Sequence, residues 1–99
     1  MPKAGTVCNI KIFSSGTEDN SVDTWNIKFV KKVDAGGSCG SCDYNKKEIH
    51  IYNRLRNINR ISTTIHETIH ASAPFLSEES VVALEKSIIQ IIKKEIAND

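Results

Sequence analysis

The first half of the chain alternates between apolar and polar residues, which is the pattern of β-strands with one buried face. The alternation occurs in three stretches: residues 6–13, with Cys8, Ile10 and Ile12 on one face; residues 24–31, with Trp25, Ile27 and Phe29; and residues 47–52, with Ile49 and Ile51. Turn-rich segments at 14–21 and 34–41 separate these stretches. The pattern therefore predicts a small three-stranded sheet with one apolar face.

The second half of the chain changes to the period of amphipathic helices. From about Asn57 an apolar stripe recurs every three or four positions, and Pro74 should end this helix at Ala73 or before. The stripe consists of Ile58, Ile61, Ile65 and Ile69. Ser77 is a good N-cap for a second amphipathic helix over 78–97. The order β-β-β-α-α predicts an α+β fold in which both helices pack on one face of the sheet.

Size and charge limit the choice of function. The 99 residues are enough for one domain, spanning residues 1–99, and the formal net charge of +1 gives no reason to expect nucleic acid or an anionic membrane as a partner. The N-terminal sequence lacks the apolar core of a signal peptide. Nothing in the chain approaches the roughly 20 apolar residues of a membrane span. We therefore expect a cytoplasmic protein.

The stretch TTIHETIHA, residues 63–71, contains a His-Glu-x-x-His motif. On a helix, with His66 at zero, His70 falls near about 40° and Glu67 near about 100°, so the two imidazoles share one side. Two histidines one turn apart can chelate a single ion, and the neighbouring glutamate can reach a water on that ion as a general base. The motif predicts His66 and His70 as zinc ligands and Glu67 as the catalytic base.

A third ligand is sought on the second helix. Glu78 falls within the apolar arc of that helix, whereas Glu79 falls on the polar side. A buried carboxylate needs a charged partner or a metal, so Glu78 is the expected third ligand. Helix capping is the alternative explanation for this residue. Glu85 also faces inward, and it could replace Glu78 as ligand or act as an outer partner that hydrogen-bonds a histidine or one of Arg54, Arg56 and Arg60.

These residues resemble a known group of proteins. The segment TTIHETIHA followed by LSEESVVALEKSI is similar to the small HExxH-plus-Glu zinc metallopeptidases, the minigluzincin-like and phage-type enzymes of about this length. The segment CDYNKKEIHIY is similar to the strand that precedes their active-site helix. The resemblance covers residues 43–92, and its zinc motif is the specific part.

The resemblance implies a three-stranded sheet, an active-site helix and a C-terminal glutamate helix. It assigns His66, His70 and Glu78 as ligands of Zn²⁺ and Glu67 as the general base. The chain departs from the family pattern in its short spacer before Glu78 and in Glu85, which stands where a small residue is usual. It is also close to the smallest size that can hold such a site.

The three cysteines give a weaker signal. Cys39 and Cys42 form a Cys-x-x-Cys pair, which could join Cys8 and His50 in a second zinc site or act as a redox pair. The second pair of closely spaced cysteines found in four-cysteine zinc sites is absent. We therefore interpret Cys39 and Cys42 as small residues of a Gly-rich turn rather than as a zinc-binding or redox pair.

The motif predicts zinc-dependent hydrolysis of a peptide or protein substrate. His50, Tyr44 and Tyr52 are candidates for stabilising the oxyanion. The alternative is a catalytically silent zinc-binding interaction or modulator protein of the same fold. A metal-free helical hairpin on a sheet is a third possibility, and the oligomeric state stays open.

Overall fold

The computed structural model describes residues 3–14, 22–32 and 39–97. Four strands precede two helices: β1 (Val7–Phe13), β2 (Val22–Val30), β3 (Gly40–Asp43), β4 (Glu48–Tyr52), α1 (Asn57–Ser72) and α2 (Glu78–Ala97). The predicted α+β class is confirmed. Most of the two predicted turn-rich segments, namely 15–21 and 34–38, lies outside the described residues.

The sheet has four strands where the sequence predicted three. Their order is β1-β2-β4-β3, and β2 and β4 are parallel while the two outer pairs are antiparallel. The added strand is β3, which lies in a segment expected to be loop. It was missed because its four residues, GSCD, contain a single apolar side chain and show no alternation.

A tight turn joins β3 to β4. One carboxylate oxygen of Asp43 accepts hydrogen bonds from the backbone N–H groups of Asn45 and Lys46, at 3.0 and 3.1 Å. Lys47 then takes a left-handed conformation with φ of 54°, which turns the chain into β4. This side-chain-supported turn brings β3 back against β4 and so creates an outer strand beside α1.

The apolar face of the sheet packs against α1. The core cluster is Ile12, Trp25, Ile27, Ile49, Ile51 and Ala71. Helix α1 lies across this face and contacts β3, β4 and β1. It approaches β3 closely at Gly40, where a Cβ atom would lie 2.9 Å from Cγ2 of Thr63 and 3.0 Å from Cγ of Glu67. The missing side chain of Gly40 therefore allows α1 to approach β3.

The buried side of α1 differs from the predicted one. The four isoleucines of the stripe are only half-buried, whereas Glu67 and Ala71 are the buried residues of the helix. The shift places an acidic side chain between the helix and β3, where it is 8% exposed. The end of the helix agrees with the prediction, since α1 stops at Ser72, two residues before Pro74.

Helix α2 packs chiefly against α1, whereas the sequence predicted that both helices would lie on the sheet. Its N-cap is Ser77, as predicted, whose hydroxyl oxygen accepts the backbone N–H of Ser80 at 3.2 Å. Val81 is its only buried residue. No helix in the described part of the chain combines the length and the apolar content needed to cross a membrane.

Candidate metal centre

Two histidines of α1 face the first turn of α2. His66 and His70 are one helical turn apart, and their ring centroids lie 4.9 Å from each other with the planes at 67°. Their side chains are 17% and 20% exposed, so both are largely shielded from water yet reachable from the cleft. This is the side-by-side arrangement that the motif predicted.

Glu78 lies across both rings. Its Oε1 is 2.8 Å from Nε2 of His66, and its Oε2 is 2.8 Å from Nε2 of His70. The side chain is 64% exposed, so it lies at the rim of α2 rather than in the inward position expected from the apolar arc. Its carboxylate nevertheless contacts the Nε2 atom of both rings. The three residues predicted as ligands thus come together in space.

Glu67 lies beneath this group, on the sheet side of α1. The thiol of Cys42 donates to the backbone carbonyl of Glu67 at 3.2 Å and lies 3.6 Å from its Oε2. Burial raises the pKa of the Glu67 carboxyl above its ordinary value, and the positive charges of His66 and His70 only partly offset this effect. Glu67 therefore holds a proton more readily than an exposed glutamate does.

Glu85 approaches His66 from the other side. Its Oε2 lies 2.9 Å from Nδ1 of His66, and its Oε1 accepts a hydrogen bond from the hydroxyl of Ser62. Burial raises the pKa of the Glu85 carboxyl, but the two hydrogen bonds outweigh this and leave it below the ordinary value. Of the two roles that the sequence left open for Glu85, the contact with Nδ1 matches the second, a hydrogen bond to a histidine.

The charges around His66 have a chemical consequence. Both of its ring nitrogens face a carboxylate, yet a neutral imidazole carries only one N–H. Burial lowers the pKa of His66, but the hydrogen bond to Glu85 and the negative charges of Glu78 and Glu67 raise it overall. The site therefore favours a positive charge between His66 and Glu78, carried either by a second ring proton or by a metal cation.

The donor atoms suit a small divalent cation. His66, Glu67 and His70 each have a possible ligand atom, and these three atoms lie within 4.8 Å of one another. Each oxygen of Glu78 lies 2.8 Å from Nε2 of one of the two histidines. A tetrahedral ion with bonds of about 2.0–2.2 Å would hold its ligand atoms about 3.3 Å apart. The contacts of 2.8 Å between Glu78 and the two rings are about half an ångström shorter than this spacing.

A cleft of about 420 Å³ opens above these groups. Its walls combine the acids and histidines of α1 and α2 with Cys39, Gly40 and Thr63. The outer strand β3 thus forms one wall and α1 forms the floor. A ligand in the cleft would contact the rings of both histidines and the carboxylates of Glu67 and Glu78.

The three residues proposed for oxyanion stabilisation occupy different places. The hydroxyl of Tyr44 donates to the backbone carbonyl of His70 at 3.1 Å, so this side chain lies at one end of the site. His50 pairs with Glu48 at 3.0 Å on the face of the sheet away from α1. Tyr52 lies under the ammonium group of Lys32, 5.7 Å from its ring centre. Only Tyr44 is close to the histidines.

The alternative zinc site of Cys39, Cys42, Cys8 and His50 does not assemble. Cys8 and Cys42 are on opposite outer strands, separated by three strand spacings or roughly 14 Å. His50 faces the other side of the sheet from Cys42, because it alternates with the buried Ile49. Burial and the nearby charge of Glu67 also raise the pKa of Cys42 to about 12, so its thiol stays protonated.

The part of this site that sequence reasoning missed is the support of Glu67 by β3. The signal was weak, because Gly40 and Cys42 belong to a short segment without alternation. Comparisons with protein-family models, with curated proteins and with solved structures gave no match for this chain. In the part of the chain that the structure describes, His66, Glu67 and His70 form a group that could bind a metal ion.

Proposed function

We propose that the protein is a zinc-dependent peptidase in which His66, His70 and Glu78 bind the metal and Glu67 is the general base. One observation carries the proposal: both oxygens of Glu78 meet the Nε2 atoms of the two histidines, directly beside a buried glutamate. Helix capping alone gives no reason for the carboxylate of Glu78 to be shared between two imidazoles.

Zinc is the metal that best suits this donor set. Two imidazole nitrogens and one carboxylate oxygen are the ligands of catalytic zinc sites that keep a fourth position for water. Calcium and magnesium prefer oxygen ligands, whereas His66 and His70, two of the three proposed ligands, supply nitrogen. The similarity of residues 63–71 and 76–88 to small HExxH-plus-Glu metallopeptidases supports the same assignment.

Bound zinc would lower the pKa of a coordinated water and polarise the carbonyl group of a peptide bond. The remaining chemistry falls to Glu67. Its carboxylate takes a proton from the attacking water and later gives that proton to the leaving amine. Burial shifts the pKa of Glu67 upwards, in the direction of neutral pH, which suits both the uptake and the release of the proton.

The cleft suits an extended peptide. Strand β3 is an outer strand of the described sheet and borders the cleft through Gly40. A peptide laid beside β3 as a further strand would pass over the histidines and above Glu67. We therefore propose an unfolded peptide or a flexible protein segment as substrate, rather than a folded surface.

Substitution of Glu67 and His70 tests this proposal. In Glu67→Gln we expect zinc binding to persist and hydrolysis to fall by about 10²–10⁴-fold, because the base is lost while the ligands stay. In His70→Ala we expect both zinc and activity to be lost. Zinc content by elemental analysis and cleavage of a peptide library by mass spectrometry measure the two effects.

Glu79→Gln is the matched control, since Glu79 is an exposed acid next to Glu78. It should keep both zinc and activity. If Glu67→Gln cleaves peptides as well as the wild-type protein, the general-base role is wrong.

The second candidate function is a catalytically silent zinc-binding interaction protein. The 64% exposure of the Glu78 side chain favours it, because an exposed ligand leaves the metal with few walls to bind a substrate. The library experiment separates the two candidates: zinc-loaded wild-type protein that cleaves no peptide supports the silent protein.

A further inference from the structure

Ser62, His66 and Glu85 form a hydrogen-bonded trio behind the proposed metal site. Ser62 and His66 are one turn apart on α1, so both side chains reach the same carboxylate of α2. Each oxygen of Glu85 has its own donor, namely the Ser62 hydroxyl and Nδ1 of His66. The carboxylate is thereby fixed in position from both sides.

The contact between His66 and Glu85 is better shielded from water than the contact between His66 and Glu78. The side chains of Glu85 and His66 are 19% and 17% exposed, whereas that of Glu78 is 64% exposed. A hydrogen bond from a shielded imidazole to a carboxylate is charge-assisted and meets little competition from water. Of the two carboxylate contacts of the His66 ring, the one with Glu85 is therefore the less open to water.

Glu85 is on the wrong side of the ring to be a ligand of the same ion. The two nitrogens of an imidazole point away from each other, and Glu85 faces Nδ1 while Glu78 faces Nε2. A cation about 2.0 Å from Nε2 would lie roughly 7 Å from the nearest oxygen of Glu85. The acceptor at Nδ1 instead decides which ring nitrogen keeps its proton.

We propose that Glu85 is a positioning residue, which together with Ser62 fixes the ring of His66 so that Nε2 is presented to the metal. The inference rests on the proposed metal site. Outer partners of this kind set the tautomer and orientation of a ligating histidine and strengthen metal binding. Since Glu85 belongs to α2, the trio also joins the helix that carries Glu78 to the helix that carries the histidines.

Zinc affinity, measured by competition with a chelator, tests this role. We expect Glu85→Leu to weaken zinc binding by about 10- to 100-fold. The zinc affinity of Glu85→Gln should fall between that of Glu85→Leu and that of the wild type, because the amide oxygen of glutamine still accepts a hydrogen bond from Nδ1–H. Ser62→Ala should weaken binding less than Glu85→Leu. Glu95→Gln, an exposed acid further along α2, is the control and should leave the affinity unchanged.

A second measurement separates positioning from a general effect on stability. NMR of the ring protons in metal-free protein should show slow water exchange of the Nδ1 proton of His66 in the wild type, and fast exchange in Glu85→Leu. The conservative Glu85→Gln should restore part of the protection, and it replaces Glu85→Leu if that variant does not fold.

The proposal is overturned if Glu85→Leu binds zinc within twofold of the Glu95→Gln control, or if exchange of the Nδ1 proton is the same with and without Glu85. Wild-type protein that binds no zinc would overturn the metal site and this role together. Normal zinc binding with no effect of Glu85 would overturn only the role of Glu85.

Discussion

Glu67 and Glu78, two acids of the site, have very different surroundings. Glu67 is buried under α1 next to the thiol of Cys42, and its pKa is raised; Glu78 is mostly exposed and lies between two imidazoles. A buried carboxyl with raised proton affinity suits proton transfer, whereas an accessible carboxylate beside two imidazole nitrogens suits metal binding. The environments therefore match the different roles proposed for the two residues.

The thiol of Cys42 gives a prediction at this scale. Because burial and the charge of Glu67 raise its pKa to about 12, Cys42 should resist alkylation by iodoacetamide at mildly alkaline pH. Cys8 and Cys39 are exposed and should react first. Peptide mapping by mass spectrometry measures the order. Denatured protein is the control, where all three should react alike, and equal rates for Cys39 and Cys42 in the folded protein would contradict the burial.

At the scale of elements, the site depends on the contact between β3 and α1. Gly40 allows α1 to come close, Cys42 meets Glu67, and the two elements together form the floor and one wall of the cleft. A strand of four residues is short, and its place at the side of β4 depends on the turn that Asp43 supports. The packing of one small element thus determines where Glu67 lies.

Gly40→Ala tests this contact. The new Cβ would lie 2.9 Å from Thr63 Cγ2 and 3.2 Å from the backbone oxygen of His50, so we expect a loss of about 1–3 kcal/mol in the free energy of unfolding. Urea denaturation measures it. Thr63→Ser removes the nearest methyl group, so combining it with Gly40→Ala should recover part of the loss. A Gly40→Ala protein as stable as the wild type would show that α1 is not held this close.

The pairing of His66 with His70 could be predicted from the sequence, because residues four apart on a helix share one side. Glu78 was expected at the histidines because of an inward position on α2, whereas its side chain reaches both rings from the rim of the helix and is 64% exposed. The register of β3 against α1 could not be predicted, since it depends on long-range packing that leaves no periodic signal in four residues. The helical period predicted that the isoleucines form the buried face of α1, whereas Glu67 and Ala71 are its buried residues. This difference also comes from long-range packing against β3. The parallel pairing of β2 with β4 is another contact that depends on the whole chain.

At the scale of the whole molecule, α2 is the least anchored element. It buries only Val81, and its main contact is with α1. Leu84, Ile88, Ile91 and Ile96 are exposed on it. Its attachment therefore depends strongly on the contacts of Glu78 and Glu85 with the histidines and Ser62. A metal bound by residues of both helices would connect α2 to α1 more firmly.

Zinc should therefore stabilise the fold, and α2 most of all. A ligand that binds only the folded state adds about 2.7 kcal/mol at a free concentration of 100 times its dissociation constant. Hydrogen exchange with and without zinc should show a larger gain in protection over α2 than over β1 and β2. His66→Ala is the control and should show no gain. Equal protection of α2 in both states would contradict the link between the two helices.

X-ray absorption spectroscopy of the zinc-loaded protein tests the central claim most directly. Convergence of His66, His70 and Glu78 on one ion predicts one zinc per chain, with two imidazole nitrogens at about 2.0–2.1 Å, oxygen in the remaining positions and no sulfur. His70→Ala should lose one imidazole or the metal itself. A sulfur neighbour at about 2.3 Å, or wild-type protein that retains no zinc, would contradict the account.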